Sequence, residues 1–195
     1  MQVQRGLGSS KLAISSVGGT INIITKTTDL QEGGSIVSSV GNDGYFKNLA
    51  SYNTGKNENG FAASFLMSRT AGNGYVDGTQ FEGFNYFVGL GWDRGDHNFQ
   101  FMLTGAPQTH NQRTTSFFNM ADIGDYLKYG KKYNYNHGYL NGEEFNWRQN
   151  FYHKPISSFN WSWEINETSS LTTSAYVSFG RGGGTGDIGR LGGNY

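Results

Sequence analysis

Four histidines, His97, His110, His137 and His153, are the side chains most suited to metal binding or proton transfer in this chain of 195 residues. None belongs to an H-x-x-x-H or H-E-x-x-H pair, the spacings that bring two imidazoles to one metal ion. There is no cysteine, so thiolate sites and disulfides are excluded. The carboxylate pairs Glu143-Glu144 and Asp122/Asp125 have no accompanying Ser/His/Asp order, and adjacent residues point apart. Gly6-Leu7-Gly8-Ser9-Ser10-Lys11 and the tail Gly180–Gly186 both lack the full spacing of a phosphate loop. Covalent catalysis is not expected, and no metal or other cofactor is implied.

Two stretches point to binding. Tyr129 to Tyr152 interleaves rings with amides and hydroxyls, and its candidates are Tyr133, Tyr135, His137, Tyr139, Trp147 and Arg148. Flat rings beside hydrogen-bonding groups suit sugars, peptides or other polar ligands. The same composition also suits a loop whose rings pack on one another or on a partner, and both readings stand. The second stretch is Val3-Gln4-Arg5-Gly6-Leu7-Gly8, followed by Val17-Gly18-Gly19-Thr20-Ile21-Asn22-Ile23-Ile24-Thr25-Lys26. Gly18-Gly19 permits positive φ or close approach of another backbone. From Ile21 onward, residues alternate as in a half-buried strand.

The elements that must carry these residues are strands. Glycine is abundant at 30 residues, aromatics make up 15% and hydrophobic residues only 35%. Mean hydropathy is −0.56. Membrane β-barrels have this profile, because only alternate residues must face lipid while aromatics gather at the interfaces. The formal net charge is zero, so no bulk attraction to nucleic acid is expected. No apolar run is long enough for a transmembrane helix. Met1 is followed directly by polar residues with no apolar leader, and the expectation is that the natural N-terminus lies upstream.

Alternation predicts seven strands after the opening stretch: near 35–42, 46–52, 61–68, 84–92, 98–104, 159–166 and 171–179. One short helix is expected around Met120 to Tyr129. The connections alternate between short (55–59, 93–97, 166–169) and longer (42–45, 70–82, 105–155), the asymmetry of outer-membrane barrels. The glycine-rich end from Gly180 shows no period and falls in the next outer loop. Seven strands cannot close a barrel of even strand number, and open edges in lipid are costly. The expectation is therefore an internal piece of a larger barrel.

The V-x-R-G loop followed by G-G-T-I-N-I-I-T-K resembles the end of the plug domain of TonB-dependent outer-membrane receptors, just before the first barrel strand. R-G-L-G-S-S-K is similar to the form seen in Bacteroidetes receptors, with Leu7-Gly8 in place of the R-G-P wording. The resemblance covers about the first 28 residues and implies an all-β protein. Residues 1–28 would end the plug. Residues 29–195 would begin an antiparallel transmembrane β-barrel of about 22 strands, about seven of them present. It implies that Arg5, with Gly6, Gly18 and Gly19, locks plug to barrel wall. It also implies import of a scarce glycan, peptide or metal chelate across the outer membrane, powered through the TonB complex. Outer-membrane lipids, and a surface lipoprotein as lid, would be the partners. A non-transporting barrel subunit serving as scaffold, and a soluble extracellular β-sandwich binding module, are the alternatives.

Overall fold

The computed structural model describes residues 25–113 and 123–186, together with the backbone of 2–5 and 19–22. In chain order the elements are β1 (Gln2–Arg5), β2 (Gly19–Asn22), a 3-10 turn (Thr27–Asp29), β3 (Gly33–Val40), β4 (Phe46–Asn53), β5 (Phe61–Gly72), β6 (Phe81–Arg94) and β7 (His97–Gly105). Then come β8 (Gln108–Asn111), α1 (Ile123–Tyr129), β9 (His137–Leu140), β10 (Glu143–Asn146), β11 (Gln149–His153), β12 (Ile156–Asn166), β13 (Ser169–Ser178) and β14 (Arg181–Gly184). The protein is all-β, and every strand pairing is antiparallel.

The seven alternating segments are the seven strands of one up-and-down sheet, in the order β3-β4-β5-β6-β7-β12-β13. Each lies beside its predecessor along this path. Among the described residues, β3 and β13 form its two edges. β5 and β6 run to 12 and 14 residues, longer than the alternation alone marks out.

Register sorts the side chains onto two unlike faces, because successive residues of a strand point to opposite sides. One face carries cross-strand rows of apolar residues. Examples are Tyr52, Phe65, Val88 and Leu103, then Ala63, Leu90, Phe101, Phe159 and Ala175. The other face is polar or small, with Ser51, Ser64, Ser68, Gly89, Gly91, Gln100, Asn160, Ser162 and Ser174. The burial is inverted relative to a soluble domain. Ile36 and Val40 on the apolar face are 89% and 83% exposed, whereas Ser64 and Gln100 on the polar face are buried. Among the described residues only Ala62 and Ala63 are buried hydrophobics.

The connections differ at the two ends of the sheet. At one end the hairpins are tight. Gly95-Asp96 joins the paired residues Arg94 and His97, with Gly95 at φ 60. Asn166 Oδ1 accepts the Thr168 N–H at 3.0 Å in the β12–β13 turn. At the other end lie 41–45, 73–80 and 106–155. The N–H of Asn73 donates to Asp43 O at 2.8 Å, tying the first two together. Asp43 and Gly44 both have positive φ, as the Asn-Asp-Gly signal predicts.

The segment 106–155 is more ordered than its composition foretells. β8 pairs with the start of β6 and with β11, and β11 pairs with β14, so the sheet continues past the ends of β7, β12 and β13. The glycine-rich residues 181–184, read from sequence as without period, are the strand β14. The expected helix is α1, Ile123–Tyr129, and its suggested start at Met120 lies outside the described residues. The continuation is interrupted at one level in three neighbouring strands: at Ala106-Pro107, Lys154-Pro155 and Phe179-Gly180. The two breaks with proline use the only two prolines in the chain. Proline has no N–H to give to a ladder, which accounts for those breaks.

Candidate functional site

Two regions bring polar side chains together. The first is on the polar face of the sheet. The 3-10 turn Thr27–Asp29 packs against β5 and β6 there. Thr27 and Thr28 are each only 4% exposed. Gln100 on β7 holds the turn from both ends of its amide: Oε1 accepts the Thr27 N–H at 2.8 Å, and Nε2 donates to Thr28 Oγ1 at 2.8 Å. Nε2 also reaches Asn98 Oδ1 at 3.1 Å, which orients the amide. Thr25 Oγ1 donates to Met102 Sδ at 3.6 Å.

Gly89 and Gly91 make room for this turn. A Cβ on Gly89 would lie 2.4 Å from Thr27 Oγ1, and one on Gly91 would lie 2.7 Å from Thr28 Cγ2. In this strand the glycines are a cradle on one face rather than weak points. The sequence placed both on the face opposite the aromatics, but it could not name an occupant so far away along the chain.

The second region is the loop cluster. β9 and β10 form a hairpin closed by Asn141-Gly142, at φ 54 and φ 87. Three asparagines fasten the cluster. Asn134 Nδ2 donates to Asp77 O at 2.9 Å and Gln112 O at 3.3 Å. Asn136 Nδ2 donates to Gln112 O at 3.1 Å. Asn146 Nδ2 donates to Gly78 O at 2.7 Å and Gln112 O at 3.3 Å. The cluster thus ties the 73–80 loop, the end of β8 and the hairpin to one another.

The residues expected to bind ligand divide into two groups. His137 is part of the scaffold: its Nε2 lies 2.9 Å from Glu144 Oε1, and Gln80 Nε2 donates to the same oxygen at 3.0 Å. A Cβ on Gly78 would meet the His137 ring at 2.5 Å. Tyr133 stacks on Tyr129 with ring centroids 4.5 Å apart. Burial, and then Tyr129 beside it, hold the Tyr133 phenol above its usual range. The Arg148 backbone N–H donates to Asn146 Oδ1, and its carbonyl accepts from Gln112. Tyr135 and Tyr139 are exposed at 60% and 74%, and Trp147 is exposed beside Phe145 in an edge-to-face pair. Tyr139 also leans on the His137 ring, 5.9 Å away, and these exposed rings are the ones able to stack on a ligand.

Of the four residues expected to lock plug to wall, Gly6 and Gly18 lie outside the described residues. Arg5 and Gly19 face each other across β1 and β2, a two-stranded ribbon. The suggested boundary between 28 and 29 falls inside the docked turn.

His97, read as part of a tight turn, instead opens β7, its ring within 5.5 Å of Trp163 and 6.0 Å of Trp161. Among the described residues, no three His, Asp or Glu side chains converge as a metal cluster would. The sequence reading missed Asn134, Asn136, Asn146 and Gln100. Only the Asn-Gly dipeptide of the hairpin carried a signal that would have revealed part of the cluster.

In comparisons with protein-family models, with curated proteins and with solved structures, nothing matches this chain.

Proposed function

We propose that this chain is the end of the plug and the first strands of a TonB-dependent outer-membrane receptor that imports a scarce ligand. The observation that carries the reading is the apolar face of the sheet. Between the ion pair Arg69–Glu82 at the loop end and Arg94 at the turn end, β5, β6 and β7 present no charge on that face. Trp92 to Glu82 rises about 33 Å at about 3.3 Å per residue. At a strand tilt of about 40° this is about 25 Å, the height of a lipid-facing band.

An aromatic row closes the band near the tight turns. Phe61, Trp92, Phe99 and Trp161 lie side by side in register across β5, β6, β7 and β12. Phe99 and Trp161 are 5.8 Å apart with rings 1° from parallel. Such girdles mark membrane interfaces. The polar face would then line the lumen, and the segment leading into β3 lies against it, as the chain emerging from a plug must. A sandwich would cover the apolar face with a second sheet, and no described element does so.

In this reading the tight hairpins face the periplasm and the loop cluster faces outward. Tyr135, Tyr139 and Trp147 would meet a glycan, peptide or metal chelate. The TonB complex and outer-membrane lipids are the partners, with a surface lipoprotein as a further one. There is no catalytic step. Removing residues 1–26 from the full receptor is expected to admit large antibiotics through the outer membrane or to abolish uptake of the ligand. Unchanged uptake together with an intact permeability barrier would refute the import reading. Loss of a surface complex with no growth substrate affected would favour the scaffold.

A further inference from the structure

We propose that Thr25–Asp29 is a releasable latch, seated in a binding site for the chain's own turn made by Gly89, Gly91 and Gln100. The proposal rests on the reading of the polar face as a lumen wall. In it, the latch sets whether the chain preceding Thr25 is held to that wall.

Three features make the seat reversible. Its hold is polar: Thr25 Oγ1 makes one long contact to Met102 Sδ, and the turn itself is held through one side chain. Gln100 supplies both bonds to the turn, to Thr27 N–H and Thr28 Oγ1. On release, all of these groups regain water as a hydrogen-bond partner. The seat is also imperfect. Ser64, which faces Gly89 across the β5–β6 pairing, is 2% exposed, and its Oγ has no hydrogen-bond partner among the described residues. Leaving a buried hydroxyl unpaired disfavours the seated state, and opening the seat relieves it. Finally, the seat is shaped for its occupant. The space over Gly89 and Gly91 is filled by Thr27 and Thr28, and any side chain at either glycine would collide with them. The turn's remaining ion pair, Lys26–Asp29, spans 4.0 Å between two exposed side chains and does not fasten it to the wall.

The test uses the full receptor in outer-membrane vesicles with a single reporter, Thr27→Cys, which keeps both Gln100 bonds because one is made by the Thr27 backbone and the other by Thr28. This chain adds no competing thiol. Labelling by a small maleimide should be slow in the reporter alone. It should rise about tenfold when Gln100→Ala is added, the change expected for losing two ordinary hydrogen bonds. Gly89→Val, whose added side chain would meet the residue-27 side chain and the Phe87 ring rather than the Gln100 amide, should raise it as well. Equal slow labelling in all three proteins would overturn the latch, as would fast labelling in the reporter alone. Heat-modifiable migration of the same proteins reports barrel assembly separately. A protein that never enters the outer membrane therefore refutes the receptor reading, while labelling in detergent extract still reads the latch.

Discussion

Asn146 donates from Nδ2 to the carbonyls of Gly78 and Gln112 and accepts the N–H of Arg148 at 2.8 Å. With Asn134 and Asn136 it converges on Gln112 O, so one backbone carbonyl gathers three side-chain amides. Replacing Asn146 with alanine leaves the Gly78 carbonyl and the Arg148 N–H without these partners, at a cost of about 1–3 kcal/mol. The expected outcome is faster amide exchange over residues 77–80 with the exchange of β5 unchanged. Equal exchange in both segments would mean the asparagines do not hold the cluster. These residues were invisible in the sequence, because asparagine in a polar loop reads as turn chemistry. The rings around them were the visible part, and the structure divides those into scaffold, such as His137 and Tyr133, and exposed rings, such as Tyr135 and Tyr139.

At the level of elements, the β9–β10 hairpin depends on a turn with no steric constraint but a strong backbone one. Gly142 sits at φ 87, and a Cβ there would touch nothing. Gly142→Val therefore tests conformation alone. It should destabilise the hairpin by about 1–2 kcal/mol, the cost of a left-handed residue with a side chain. The measurement is amide exchange in β9 and β10, and an unchanged rate would show that the turn is not what sets the hairpin. The seven strands of the main sheet were legible because their alternation follows directly from facing two unlike environments. β8, β11 and β14 were not. They are short, rich in glycine or polar residues, and exist because they extend a ladder already begun by β6. The prolines at 107 and 155 hid this further, since each cuts a long strand into two pieces that read separately.

For the whole molecule, the sheet's two faces make opposite demands on a charge. Val88 lies at the middle of the apolar rows, between Phe65 and Leu103 in register. If that face meets lipid, Val88→Arg should cost about 2–4 kcal/mol at the bilayer midplane. The yield of assembled protein in the outer membrane should then fall sharply. Thr172→Arg, on the exposed polar face of β13, should assemble like the parent. Equal yields of the two variants would remove the support for a membrane-facing sheet. The Arg69–Glu82 pair at the edge of the band is too exposed to anchor it, and its removal should matter little.

The sequence alone determined that the chain is built of antiparallel strands with one apolar and one polar face. It also determined roughly where the seven strands of the main sheet run and which of the connections between them are tight. These are local matters: alternation and turn residues act over a few positions, and a two-residue period leaves no choice of face. Only the tertiary structure decided what lies on the polar face. Gln100 meets Thr27 across most of a hundred residues, and no local rule joins a lone glutamine to a pair of threonines so distant. The same holds for Gly89 and Gly91, whose missing side chains have meaning only once the turn that fills the space is in place.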